Sequence, residues 1–168
     1  MATNEESIQT ANFNDWIGHG ERLSDLTVFS ISASREQATV AINGIIGKDL
    51  VNAETGIIAR IYTNQRNKIL SIAALEKSES NGFNAKQHFA VATRIDKAWK
   101  YASLVKTRDD KEGDKNIVSV KRFASPILLD EDPAIAYITV KESVEHGYRV
   151  YSLELREIKK ARREGGTL

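Results

Sequence analysis

Alternating apolar and polar residues run through three successive segments in the C-terminal half of the chain. The segments are IVSVKRF, IAYITVKESV and YRVYSLEL, separated by SPILLDEDPA and EHG. A period of two is typical of strands with one buried face, and short connections between such strands favour antiparallel pairing. The pattern therefore predicts an antiparallel meander over residues 116–155, with its last turn at Glu145–Gly147.

The last hairpin of this meander has two alternative registers. Its exposed face shows Lys141 and, across the turn, either Arg149 with Tyr151 or the residues that follow each of them. A one-residue slip exchanges the two faces of a strand. Because Val150 suits a core, we favour Arg149 on the exposed side. Residues 157–163 then change to a helical and basic pattern.

Apolar residues at three- and four-residue spacing predict a helix over residues 85–105. Its buried stripe consists of Phe89, Ala92, Ile95 and Trp99. Asn84 and Gln87 have the spacing of a capping box at its start, and Ser34 with Gln37 has the same spacing before an earlier helical segment. Two helices with capped starts are therefore expected.

Two extended runs around the polar sequence TNQRN predict a hairpin over residues 57–71, which joins the meander in one sheet. Residues 106–116 are almost all charged or turn-forming, which predicts a solvated loop. Because helices precede the sheet, the fold class is α+β. We expect an N-terminal helical region and one long helix packed on an antiparallel sheet of about four to five strands.

Length and composition fit one folded core, with 168 residues of which 41% are hydrophobic. We divide the chain into an N-terminal extension and helical region (1–52), an α+β domain (53–155) and a basic tail (156–168). No apolar run approaches the roughly 18 residues of a membrane span, and the N-terminus lacks the order of a secretory signal. These features predict a cytoplasmic protein. The absence of cysteine excludes disulfides, zinc–cysteine sites and cysteine nucleophiles.

Charge is unevenly distributed although the formal total is only +1. Residues 60–122 carry 14 basic and 7 acidic side chains, and the C-terminal tail is basic as well. A locally basic face attracts phosphates. The alternative is that folding mixes the oppositely charged segments in space. The chain contains no phosphate-binding loop, dinucleotide fingerprint, zinc-protease motif or calcium loop, so we expect neither a metal nor a cofactor.

Candidate chemistry centres on His88, which lies in the first turn of the predicted helix beside Lys86 and is expected to face a site. A surface or capping role is the alternative. The polar residues expected around it are Arg66, Lys68, Ser71, Lys121, Arg122, Lys141, Arg149 and Tyr151. Such a set can support metal-free RNA cleavage, in which a base removes the 2′-hydroxyl proton and cations stabilise the transition state. The solvated side of a half-covered sheet is the other interpretation.

The order of several short motifs resembles one of the large polyvalent protein-associated domains of phages and mobile elements. The motifs are TG before a strand, N-K after it, a histidine opening a helix that contains I-D, an R-F strand, a V-K-E strand and a final Y-S-x-E strand. The resemblance covers about residues 53–155. Domains of this kind resemble in turn the barnase, EndoU, colicin and RelE-like RNases.

This second resemblance implies catalytic roles for Lys68, His88, Arg122 and Tyr151 and binding roles for Arg66, Lys121, Lys141 and Arg149. His88 is then the general acid or base, Lys68, Arg122 and Lys141 are the phosphate-binding cations, and Tyr151 is a proton-donating partner.

Two functions stay open on this evidence. The first is a metal-independent, toxin-like endoribonuclease. The second is a non-catalytic accessory module that binds RNA, single-stranded nucleic acid, or a phage or host protein. Convergence of His88 and at least two of the basic residues in one cleft favours the enzyme, whereas dispersal of this set favours the module.

Overall fold

The structure is a computed structural model that describes residues 32–109, 117–129 and 132–160. Its helices and strands, in chain order, are α1 (Arg35–Asn43), β1 (Leu50–Val51), β2 (Ile58–Ala59), α2 (Thr63–Ile69), α3 (Ile72–Ser80), α4 (Ala85–Ala92), α5 (Ile95–Lys100), β3 (Ser103–Asp109), β4 (Ile117–Leu129), β5 (Asp132–Glu145) and β6 (Tyr148–Lys160). The predicted α+β class is confirmed. Among these described elements, no helix has the length and apolar character needed to cross a membrane.

Some predictions fall wholly or partly outside the described residues. They concern the N-terminal lead-in and the loop that follows it, most of the charged loop before β4, and the end of the basic tail.

The predicted meander is confirmed and forms a four-stranded antiparallel sheet in the order β3-β4-β5-β6. Strand β3 was not predicted, because the sequence pattern placed residues 103–109 at the end of a helix and in a loop. β6 continues to Lys160, which pairs with Ala134 of β5. The predicted helix from Glu157 is therefore wrong as far as Lys160. A bulge at Arg156 lets the strand keep apolar side chains on the buried face on both sides of the irregularity.

The turn of the β5–β6 hairpin lies where the sequence predicts it. His146 and Gly147 both have positive φ, at 50° and 82°, the backbone of a two-residue turn that matches the twist of the strands. Arg149 is exposed, as favoured. However, Lys141 pairs with Ser152, and Glu142 pairs with Tyr151. The favoured register, with Arg149 and Tyr151 on the face of Lys141, is therefore wrong.

The single helix predicted over residues 85–105 is wrong in length. α4 begins with the predicted capping box at Asn84, but it ends at Ala92, and α5 begins only after a turn at Arg94 with φ of −127°. All four residues of the predicted stripe are buried. The apolar period continues across the turn because both helices bury residues in the same core. The period alone therefore did not reveal the break.

The hairpin predicted over residues 57–71 is wrong. The sequence TNQRN begins α2 instead, and Gln65 Oε1 accepts the backbone N–H of Tyr62 at 3.1 Å. Ser71 then caps α3 through the N–H of Ala74. Of the predicted strands only β2 forms, and the next residue, Arg60, makes a parallel bridge to Ser152 of β6. The earlier helix is as expected, because Ser34 and Gln37 form a complete capping box before α1.

The helices and one face of the sheet share the main hydrophobic core. Trp99 of α5 packs edge-on against Phe123 of β4 at 4.7 Å between ring centroids, and its Nε1–H donates to the Leu50 carbonyl at 2.8 Å. Ala38 and Ile42 of α1 belong to the same core. On the other face of the sheet, a smaller buried cluster consists of Val105, Ala124, Ile135 and Tyr137.

Candidate functional sites

His88 lies in the core rather than in a cleft. Its side chain is fully buried, with Nδ1 at 2.8 Å from Ser78 Oγ and Nε2 at 2.9 Å from the carbonyl oxygen of Ile69. Because a carbonyl only accepts, Nε2 of the neutral ring donates to Ile69, and Nδ1 accepts from the hydroxyl of Ser78. The prediction that this side chain faces a site is wrong. The ring instead joins α2, α3 and α4.

The electrostatics of His88 also fit a structural role. Burial lowers the pKa of the imidazole, the hydrogen bond to the Ile69 carbonyl opposes this effect, and the positive charge of Arg35 adds to the lowering. A buried neutral ring with both nitrogens in hydrogen bonds has no atom available to a substrate. Its proposed work as a general acid or base therefore stays a prediction without geometric support.

Glu142 is a buried carboxylate that holds two of the candidate binding residues. Ser119 Oγ donates to Oε1 at 2.9 Å, Arg149 pairs with Oε2, and Lys121 Nζ lies 3.8 Å from Oε1. Burial alone raises the pKa of Glu142. The hydrogen bonds from Ser119 and Arg149, together with the charges of Arg149 and Lys121, outweigh this effect and keep the pKa below its ordinary value. Lys121 and Arg149 thus stabilise a charge that burial alone disfavours.

A cleft of about 530 Å³ lies between the β1–β2 region and the start of β6. We call it the tyrosine–arginine cleft, and its polar lining includes Asp49, Thr55, Arg60, Tyr62, Arg149 and Tyr151. Arg60 pairs with Asp49, with Nε at 2.7 Å from Oδ1. Hydrogen bonds to Asp49 and then to Tyr62 raise the pKa of this arginine. Of the predicted site residues, this cleft brings together Arg149 and Tyr151.

A second group of cations lies around α3 and lines two further clefts, which share Ser71, the N-cap residue of this helix. We call it the basic band, and its members are Arg35, Arg66, Lys68, Lys77 and Arg156. Against these five cations, the described residues that line the same two clefts include one carboxylate, Glu154. This side chain is buried, with Arg156 at 2.8 Å and Lys68 at 3.9 Å. The described lining of these two clefts therefore carries an excess of positive charge.

Two more predicted residues, Arg122 and Lys141, lie on the face of the sheet opposite the helices. The Arg122 guanidinium stacks over the Tyr137 ring at 4.1 Å and lies 3.7 Å from Glu157. Lys141 is half-buried and pairs with Ser152 across the β5–β6 ladder. The main core and the sheet itself separate these residues from His88. The predicted set is therefore dispersed rather than gathered in one cleft.

Sequence reasoning missed several residues that build these surfaces, among them Arg35, Lys77 and Arg156 of the band and Arg60 and Tyr62 of the cleft. It also missed Asn52, which is fully buried. Its amide donates to the carbonyls of Trp99 and Ala102 at 2.8 Å each, and its Oδ1 accepts from Thr55. For Asn52, the sequence signal was the TG motif that begins at its hydrogen-bond partner Thr55. No group of three or more potential metal ligands occurs within the described ranges.

The fold and its surfaces define a small α+β domain with a helical layer on one face of an antiparallel sheet and a cationic surface beside α3. Comparison with family models shows which domain this is. The chain belongs to the family of large polyvalent protein-associated domain 3, whose model matches residues 30–151. The match begins before the predicted start at residue 53 and includes α1.

The resemblance to polyvalent protein-associated domains is thereby confirmed. The further resemblance to RNases receives no support from the family match and stays a prediction. Neither the comparison with curated proteins nor that with solved structures found a match.

Proposed function

We propose that this domain is a non-catalytic nucleic-acid-binding module of a large polyvalent protein from a phage or mobile element. The observation that carries the proposal is the basic band, with its five cations against one buried carboxylate. RNA or single-stranded DNA is the ligand class, because a flexible strand can pass from one of the two adjoining clefts to the other and contact the cations of both.

The band offers contacts of two kinds. Lys68 and Arg156 are each 42% exposed although both approach Glu154, so part of each side chain is open to solvent and accessible to a phosphate. Ile72 lies in the same region and is 68% exposed, which provides an apolar surface for a base. Positive charge for the phosphates is the main component of sequence-tolerant binding to single strands, and the exposed Ile72 side chain adds apolar contact area for a base.

Salt dependence tests this proposal directly. Each phosphate neutralised on a single strand contributes about −0.7 to the log–log slope, so five contacts give about −3.5. The affinity for an unstructured RNA oligonucleotide should then fall about 100-fold between 50 and 200 mM salt, as measured by fluorescence anisotropy. No binding at 50 mM salt contradicts the proposal.

A charge-matched pair of variants locates the surface. Lys68→Gln with Lys77→Gln should lower the affinity about tenfold and reduce the slope by about 1.4, since two contacts are lost. The control is Lys106→Gln with Arg108→Gln, which removes the same charge from exposed positions on β3. Equal losses in the two double variants would mean that the band is not the binding surface.

An RNA-cleavage assay separates the module from the enzyme. Total tRNA incubated with the protein in EDTA should remain intact, because Glu154, the acid–base group that the described residues place in the lining of the band, is buried and paired with Arg156 and Lys68. Cleavage by the wild type that is lost in Lys68→Gln would overturn the non-catalytic proposal in favour of a metal-independent RNase.

A further inference from the structure

The tyrosine–arginine cleft has the features of a preformed small-ligand site. Its volume of about 530 Å³ lies in the range of ligand pockets. One wall is fixed by the fully buried Asn52, whose hydrogen bonds tie the Thr55 turn to the end of α5. The backbone of Arg60 is fixed to β6, with its N–H donating to the Tyr151 carbonyl at 2.9 Å. Hydrogen bonds within the protein therefore hold both walls of the cleft, the Thr55 turn and the Arg60 backbone.

The charges of the cleft suit one anionic group rather than a chain of them. Arg60 pairs with Asp49, and Arg149 pairs with Glu142. A guanidinium has five N–H donors, so each arginine keeps donors beyond those that the carboxylate uses. Both arginines are also well exposed, with side-chain exposures of 46% and 64%. Because both line the same cleft, they can donate to an anionic group bound there while their ion pairs hold them in place.

The aromatic lining adds a second requirement. Tyr62 and Tyr151 are both half-buried residues of the cleft lining; Tyr151 packs against the main core, and Tyr62 is held by a hydrogen bond with Arg60. Aromatic rings stack with any of the nucleobases, because every base has a flat π-face. The Asp49 carboxylate at the cleft can accept a hydrogen bond from a ribose hydroxyl or an exocyclic amine. Inorganic phosphate leaves the rings unused, and an apolar ligand leaves the arginines unused.

We propose that this cleft binds a nucleoside monophosphate group, either free or at the end of a strand. The base lies against the tyrosine rings, and the phosphate accepts hydrogen bonds from the two arginines. This site is separate from the basic band and does not depend on it. The proposal therefore stands or fails independently of polymer binding by the band.

Calorimetric titration with AMP tests the site, beside adenosine, inorganic phosphate and phenyl phosphate. AMP should bind at least about tenfold more tightly than each of the others, because each of them lacks part of the matching chemistry. Arg149→Gln and Tyr62→Leu should each weaken AMP binding about tenfold. Both changes keep only part of the side-chain volume, so a circular-dichroism melt checks that each variant is folded.

Arg108→Gln is the matched control, because this exposed arginine on β3 lies outside both surfaces, and it should bind AMP as the wild type does. Absence of AMP binding at millimolar concentration overturns the proposal, as does equal binding of phenyl phosphate. A loss in Arg108→Gln as large as that in Arg149→Gln also overturns it. If a 5′-phosphorylated oligonucleotide competes better than its unphosphorylated form and better than AMP, the ligand is a strand end. If it does not, the ligand is a free nucleotide.

Discussion

The basic band and the tyrosine–arginine cleft both carry arginines, but they use charge in opposite ways. In the band, several cations share one buried carboxylate, Glu154. In the cleft, Arg60 and Arg149 each have a carboxylate of their own. An excess of charge attracts a polyanion over a distance, whereas paired charges hold donors in fixed directions for one group. The pairing, rather than the number of basic residues, separates the two surfaces.

The supports of the two regions differ as well. The band lies over α2 and α3, whose junction His88 fixes through Ile69 and Ser78. The cleft depends on Asn52 and on the parallel bridge between Arg60 and β6. Because these supports share no residue, changes to one should leave the other largely intact.

The largest effect is expected at His88, and it tests whether the support of the band is structural. His88→Ala leaves the Ser78 hydroxyl and the Ile69 carbonyl without their buried partner and creates a cavity, which should lower the free energy of unfolding by about 2–4 kcal/mol. Urea denaturation measures this change. Ser78→Ala removes only one of the two bonds and should cost about 1 kcal/mol. An unchanged stability in His88→Ala would mean that the ring does not hold the helices together.

The sequence predicted those elements whose local signals agree with their tertiary environment. The strands of the meander alternate cleanly, and the capping boxes at Ser34 and Asn84 are closed by local hydrogen bonds that need no distant partner. The hairpin predicted from the segment TNQRN was wrong because polar residues suit a turn and a helix start equally well. The prediction of one continuous helix missed the break at Arg94, because both helices pack on the same core and therefore keep the same apolar period.

The candidate site was less predictable, since charge and side-chain type do not show direction. His88 was expected outside the core because it neighbours Lys86, yet it is fully buried with both nitrogens satisfied. Arg149 and Tyr151 were correctly expected near each other, because alternate residues of a strand share a face. Their neighbours Arg60 and Tyr62 come from a segment almost 90 residues away, and no local pattern reports that contact.

Lowering the pH should destabilise the two regions through different groups, namely His88 beneath the basic band and Glu142 beside the cleft. The unfolded chain protonates His88 at its ordinary pKa of 6.5, whereas the folded state resists protonation because burial lowers the pKa. The free energy of unfolding that the neutral His88 contributes is fully present above pH 6.5. It decreases as the pH falls below 6.5, by at most about 1.4 kcal/mol per pH unit. For Glu142, whose folded pKa is lowered, stability is lost only below its ordinary value of 4.5.

Urea denaturation between pH 7.5 and about pH 3.5 measures both steps. His88→Gln should remove the loss that begins near neutrality, and Glu142→Gln should remove only the acidic one. If the loss between neutrality and pH 5 persists in His88→Gln, another group causes it, and the buried neutral imidazole is not the pH-sensitive part of the helical layer.

The smallest effect is expected from releasing one arginine of the cleft. Asp49→Asn removes the charge that pairs with Arg60 but keeps an oxygen of similar position, so more of the guanidinium becomes available to a phosphate. Because this pair is about half exposed, its net contribution is small, and AMP affinity should rise only about two- to fivefold. RNA binding by the basic band should not change, and the two titrations on the same sample measure both affinities. A fall in AMP affinity would mean that Asp49 contacts the nucleotide more strongly than it competes for Arg60. An equal rise in RNA affinity would mean that the two surfaces form one binding site.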